Sequence, residues 1–150
     1  MQKYHSAVES LMTVVTKHVQ VVTEGENSVI DLTQEVQRRV DESKLTSGLA
    51  TVFVSGSTAA VTTLEFEPGL VNDFPEMLER AAPRNHAYDH QNMWNDNNGH
   101  SHVKAALVGP SLVVPFVDGK LALGTWQQIV LVELDIRPRT RTIVLQMMGE

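Results

Sequence analysis

Between Asn85 and His102 the chain gathers His86, His90, His100 and His102, four of its six histidines, together with five asparagines, two aspartates, Tyr88 and Trp94. A neutral imidazole is the commonest side-chain ligand for transition metals, and carboxylate or amide oxygens can complete its shell. There is no cysteine. Thiolate centres, disulfides and cysteine nucleophiles are thereby excluded, and any ion must be held by nitrogen and oxygen. Zinc is the first expectation, and the same inventory suits manganese, nickel or iron. If a strand beginning near Ser101 extends back by one residue, His100 and His102 point to one face, because side chains two apart in a strand do so. The expected ligand set is His90, His100 and His102. His86 lies four residues before His90 and would share its face only in a helix. Pro83, Asn85 and the asparagines argue against a long helix there, so His86 ranks below the others. The competing reading is a chance grouping of solvated loop histidines. His5 and His18 lie elsewhere and read as structural.

Three further groups could serve such a centre. Ser55 to Ala60 is a small-residue turn whose amides and hydroxyls, those of Ser57 and Thr58 first, could hold an anion or cofactor. It has no GxxxxGK spacing, so it is no Walker loop, and a tight connection is its plain alternative. Glu65 and Asp73 are candidate proton-handling carboxylates, Glu65 because it interrupts an apolar, threonine-rich stretch. Glu67 shares its strand face. In Leu123-Gly124-Thr125-Trp126-Gln127-Gln128, Trp126 could stack on a planar ligand and Gln127 could hydrogen-bond to it, against anchoring of a bent strand.

These residues must be positioned by a fold that hydropathy outlines. Met12 to Val22 reads as a strand. Asp31 or Thr33 caps an amphipathic helix to about Ser43, with Val36 and Val40 on its apolar side. Leu49 to Val54, bounded by Gly48 and Gly56, has the pattern of a strand buried on both faces, and Val61 to Phe66 forms the next. Val71, Phe74, Leu78 and Ala81 mark one face of a second helix that Pro83 ends. Strands are then expected over 103–108, 112–117, 120–123, 128–134 and 142–147, with Asp118-Gly119 as a two-residue hairpin turn. Arg137, Arg139 and Arg141, two apart, suggest a solvated strand face rather than an anion site. The whole is an α+β fold, predominantly antiparallel sheet with two main helices, in a single domain spanning residues 1–150.

Composition limits the partners. Hydrophobic residues are 42% and charged residues 20%, ordinary globular values that allow a sizeable core. The net charge of -6 is wrong for a protein that neutralises phosphate backbones, so no nucleic-acid partner is expected. No apolar run approaches a membrane span and the N-terminus has no signal-peptide pattern, which predicts a cytoplasmic protein with no membrane partner.

Taken together, Ser57-Thr58-Ala59-Ala60, Tyr88 with His90, Asn98-Gly99-His100-Ser101-His102, Gly109-Pro110-Ser111, Asp118 to Leu121, Leu123 to Gln128, and Arg139 with Arg141 and the closing Gly149-Glu150 resemble the YjbQ-like family. The resemblance spans nearly the whole chain. Its members are small uncharacterised proteins, some described as secondary thiamine-phosphate synthases. It implies a sandwich-like α+β subunit assembling as a homotrimer, with a metal near the paired histidine motifs at or close to subunit contacts. The implied reaction joins a pyrimidine diphosphate to a thiazole phosphate as pyrophosphate leaves. Many relatives carry aspartate at the position of His100 and a histidine near Gly56 or Ser57, so His102 and His90 match best. Pyrophosphate needs cationic neutralisation, and this acidic chain lacks a phosphate fingerprint. A side activity fits that better than a dedicated synthase. The plain alternative is a metal or small-molecule binding protein without chemistry of its own.

Overall fold

The computed structural model describes residues 11–150, and His5 lies outside them. The elements are β1 (Thr13–Val22), β2 (Val29–Asp31), α1 (Thr33–Ser43), β3 (Gly48–Ser55), β4 (Ala59–Leu64), α2 (Pro68–Ala81), α3 (Asp89–Trp94), α4 (Gly99–Val108), β5 (Ser111–Val117), β6 (Lys120–Leu121), β7 (Gln128–Glu133) and β8 (Thr140–Gly149). The fold is α+β, built on two antiparallel sheets: β1-β8-β3-β5-β6 and β2-β7-β4.

The layers follow from which faces are apolar. Ala50, Val52 and Val54 of β3, Ile143, Leu145 and Met147 of β8, and Val114 and Phe116 of β5 alternate inward and meet Val61, Ile129 and Leu131 of the smaller sheet. The other face of that sheet offers Ala60, Val130 and Val132, which pack against Leu78 of α2 and Ala105 of α4. The smaller sheet is therefore the middle of three layers. β7 is the strand buried on both faces, as its unbroken Ile129-Val130-Leu131-Val132 run requires. β3 is not. Its buried residues alternate with exposed Leu49, Phe53 and Ser55, because among the described residues no layer covers the outer face of the larger sheet. Where β3 and β8 cross closely, Gly48 faces Gly149, and a Cβ on Gly48 would lie 2.2 Å from the Met148 carbonyl oxygen.

Two further sequence expectations are corrected. Residues 103–108 belong to helix α4, not to a strand. Lys104-Ala105-Ala106-Leu107 are strong helix formers, and buried Ser101, Lys104 and Ala105 recur at helical spacing. Gly109, at φ +100°, and Pro110 end the helix. Arg137, Arg139 and Arg141 do not share a solvated strand face. Only Arg141 belongs to β8, and it is 8% exposed. Arg139 precedes the strand and pairs with Asp135, Nη2 to Oδ2 at 2.7 Å. The Asp118-Gly119 hairpin is present as expected, with φ of +50° and +70°. No helix among the described residues is long and apolar enough to cross a membrane.

Candidate functional site

The polar segment after Pro83 folds into a helical hairpin. Helix α3 ends at Asn95, and Asn95 and Asn97 both have positive φ, +52° and +60°. Asparagine tolerates that conformation better than other side chains. Part of the asparagine enrichment thus makes the reversal that returns the chain over α3. Gly99 allows the return to be tight, since a Cβ there would sit 2.6 Å from Tyr88 Cβ and 3.4 Å from His90 Cβ.

This hairpin brings His90 and His102 together, with ring centroids 4.5 Å apart. Asp96 Oδ2 lies 3.4 Å from His90 Nε2. With its amide nitrogen turned to the acceptors around it, Asn98 donates to Asp96 Oδ1 at 2.9 Å and approaches His90 Nε2 to 3.2 Å. Burial holds His102 below the usual imidazole pKa, and the neighbouring His90 adds to the effect; the carboxylates of Asp96 and Asp135 oppose it without cancelling it. His102 is therefore a neutral imidazole at pH 7, able to act as a ligand or to accept a proton.

Helix geometry places His100 elsewhere. Two residues apart on a helix is about 200° of rotation, so His100 and His102 point to opposite sides of α4. The strand argument that paired them fails with the strand. His100 is wholly buried, its Nε2 2.9 Å from Glu26 Oε1 and its Nδ1 without a hydrogen-bond partner. Beside it buried Lys104 reaches Glu79 at 2.6 Å and Glu26 at 3.4 Å. His86 is exposed before α3 and stands edge-on to Tyr88 at 4.9 Å.

Ser57 of the β3–β4 turn shares a cleft with His102. Gly56, Ser57, Ala59, His102 and Pro110 line this cleft of about 320 Å³. Thr58 faces the other way. Its hydroxyl donates to Asp135 Oδ2 at 3.0 Å and accepts from Arg141 Nη2 at 2.8 Å. Asp135 is 2% exposed, and its Oδ1 has no hydrogen-bond partner. Burial works against its ionisation, yet hydrogen bonds from Arg139 and Thr58 and the charges of Arg139 and Arg141 bring its pKa below the usual value. Arg141 Nε donates to the fully buried Glu133 at 2.7 Å. No periodicity marks Asp135 or Glu133, which close the apolar run of β7. Their signal was only that two acids end such a run while three arginines follow.

The remaining candidates are not brought to the histidines. Ala59 opens β4 on the cleft, whereas Leu64 lies at the strand's far end, roughly 17 Å along it. Glu65 follows Leu64, and Asp73 is exposed beside a separate hollow that includes Leu64. Trp126 and Gln127 precede Gln128, which pairs with Leu64, so they also occupy that end. Trp126 is 73% exposed and anchors no core. Gln127 ties its own turn, its Oε1 accepting from Gly124 N and its Nε2 donating to Thr63. Glu67 caps α2 by accepting from Gly69 N and Leu70 N.

Comparison with known proteins gives these positions a family. A model described as UPF0047 protein YjbQ-like matches residues 17–150. The chain belongs to that family. A UPF0047 protein of Archaeoglobus fulgidus is 41% identical over 118 residues, covering 79% of this chain and 89% of its own. One from Methanothermobacter thermautotrophicus is 37% identical, over 93% of this chain and 95% of its own. The crystal structure of a YbjQ-like protein of unknown function from Sulfolobus solfataricus superposes with a TM-score of 0.87 at 33% identity, covering 93% of this chain and all of its own. A hypothetical protein of Aeropyrum pernix gives a TM-score of 0.84 at 36% identity, covering 91% and 99%. The three-layer α+β fold is thus that of the family.

Proposed function

We propose that the chain is a metal-dependent enzyme acting on a small phosphorylated or heterocyclic metabolite. His90 and His102, with Asp96, hold a divalent cation, zinc first, at the edge of the Ser57–His102 cleft. The close approach of two tilted imidazoles, centroids 4.5 Å apart, beside a carboxylate carries the reading. Two protonated rings so close repel, and His102 is already disfavoured from protonation. A cation that takes both lone pairs satisfies the rings and the carboxylate together.

Among the described residues no three His, Cys, Asp or Glu side chains form a ready-made shell. An ion held by the two imidazoles must complete its coordination with Asp96 after a side-chain adjustment, with water or with substrate. The enzyme reading requires that ion to keep an exchangeable position, as catalytic sites do and structural sites do not. When bound, the ion would polarise an oxygen of the substrate. Because a metal-bound imidazole has no lone pair to spare, proton transfer falls to Asp135, the other carboxylate whose field His102 feels, in place of Glu65 and Asp73. Thiamine-phosphate synthesis stays within this class as a side activity to assay.

The test is calorimetric titration of the metal-stripped chain with zinc and with manganese. One ion per chain is expected, with affinity falling on acidification as protons compete for the imidazoles. Absence of zinc and manganese uptake at neutral pH overturns the metal.

The reading includes self-association. Across the outer face of the larger sheet Val14, Met148, Leu49 and Pro115 form one cross-strand row, and His18, Val144, Phe53 and Ser111 another. Val14, Leu49, Phe53, Val113 and Met148 there are all exposed, an apolar area of the kind that a second copy covers. Sedimentation of Phe53→Lys should give a smaller species than the unaltered chain. Identical monomeric sedimentation of both excludes this interface.

A further inference from the structure

Arg141 is fixed by hydrogen bonds to Glu133 and Thr58 and still has donors to spare. Its Nε donates to Glu133 Oε2 at 2.7 Å, and its Nη2 donates to Glu133 Oε1 and, at 2.8 Å and 3.1 Å, to the Thr58 hydroxyl and carbonyl. A guanidinium carries five N–H groups. The two on Nη1 make no hydrogen bond with any described residue. Arg141 is 8% exposed, and its Nη1 points at the β3–β4 turn, 2.8 Å from where a Cβ on Gly56 would stand. Gly56 is not among the positive-φ glycines, so left-handed backbone does not account for it. What it leaves is a gap above a fixed guanidinium edge. Gly56, which bounds this gap, also lines the cleft that Ser57 shares with His102.

We infer that Gly56 opens a seat for a phosphoryl oxyanion in this cleft, formed by Arg141 Nη1 and the Ser57 hydroxyl, with the organic part of the ligand lying over Ala59, Ala105 and Pro110. The inference deepens the proposed function by naming the ligand's anionic group, and rests on the same cleft being the substrate site. A guanidinium oriented in advance loses little freedom on binding, and its planar edge suits oxyanions. Because Glu133 compensates its charge, the seat recognises through directed N–H groups rather than through net positive potential. This explains how an acidic chain without a glycine-rich phosphate loop can take a phosphorylated ligand.

The probes are inorganic phosphate and pyrophosphate, titrated by calorimetry into the chain kept metal-free with chelator. The unaltered protein should bind pyrophosphate. Gly56→Val, whose side chain fills the gap, should weaken it roughly tenfold or more, and Ser57→Ala should weaken it less, both leaving zinc uptake at His90 and His102 unchanged. If Gly56→Val does not fold, the guanidinium nitrogen resonances of Arg141 in the unaltered protein decide, since they must move as pyrophosphate is added. Equal affinity in the valine variant, no binding at millimolar pyrophosphate, or unmoved resonances each overturn the seat. Pyrophosphate binding without zinc uptake would instead sink the metal while leaving the seat standing.

Discussion

Replacing Arg141 by methionine should lower the free energy of unfolding by about 3–5 kcal/mol, the range for removing one partner of a buried ion pair. The reason lies in what stays behind. Glu133 is fully buried, and besides Arg141 its carboxylate has only the Thr23 hydroxyl and the backbone N–H groups of Leu134 and Asp135. Those dipoles cannot replace a cation at 2.7 Å. Asp135 and Thr58 also lose a neighbour, so the β3–β4 turn loosens where it meets the cleft. The double variant Arg141→Met with Glu133→Gln should recover much of the loss, because glutamine keeps the shape and acceptor oxygen without the stranded charge. Denaturant unfolding reads both variants. A single variant within about 1 kcal/mol of the unaltered chain would show that Glu133 is not charged in the fold.

The same cluster shows where sequence reasoning stops. The α+β class, the helices at 33–43 and 68–81, and the Asp118-Gly119 hairpin were legible because each rests on a local period or turn residue. Helix α4 was missed because valines at 103 and 108 bracket the helix formers between them. That local error carried a functional one, since a strand puts His100 beside His102 and a helix separates them. The pairing of His90 with His102 needed the reversal at Asn95–Asn97 and the space at Gly99, which composition hinted at but spacing did not express. Glu65, Asp73, Trp126 and Gln127 were reasonable by residue type. Their distance from the histidines follows from the direction of β4, its register with β7 and the packing of α2 beside Leu64, which are long-range properties. The Arg141–Glu133 pair joins residues eight apart across a turn and a strand start, and arginines two apart look the same whether solvated or buried.

His100 and His102 stand two residues apart, and substituting each by alanine should give opposite outcomes. His102→Ala, alone or with His90→Ala, should abolish zinc binding and change stability at pH 7 by no more than about 1 kcal/mol, since the ring is only partly buried. His100→Ala should retain zinc binding and lose about 2–4 kcal/mol, from the cavity left by a fully buried ring and from Glu26 losing a partner. pH separates them further. The folded pKa of His102 lies below its unfolded value of 6.5, so in the metal-free chain the unfolded state takes a proton first as pH falls. Its contribution is therefore intact above about pH 6.5 and is lost on acidification toward the folded pKa. His102→Ala removes that term, and its stability should fall less steeply from pH 7 to pH 5 than that of the unaltered chain. Equal slopes would mean that His102 is not held neutral by the fold, and the paired imidazoles would then lose their claim on a cation.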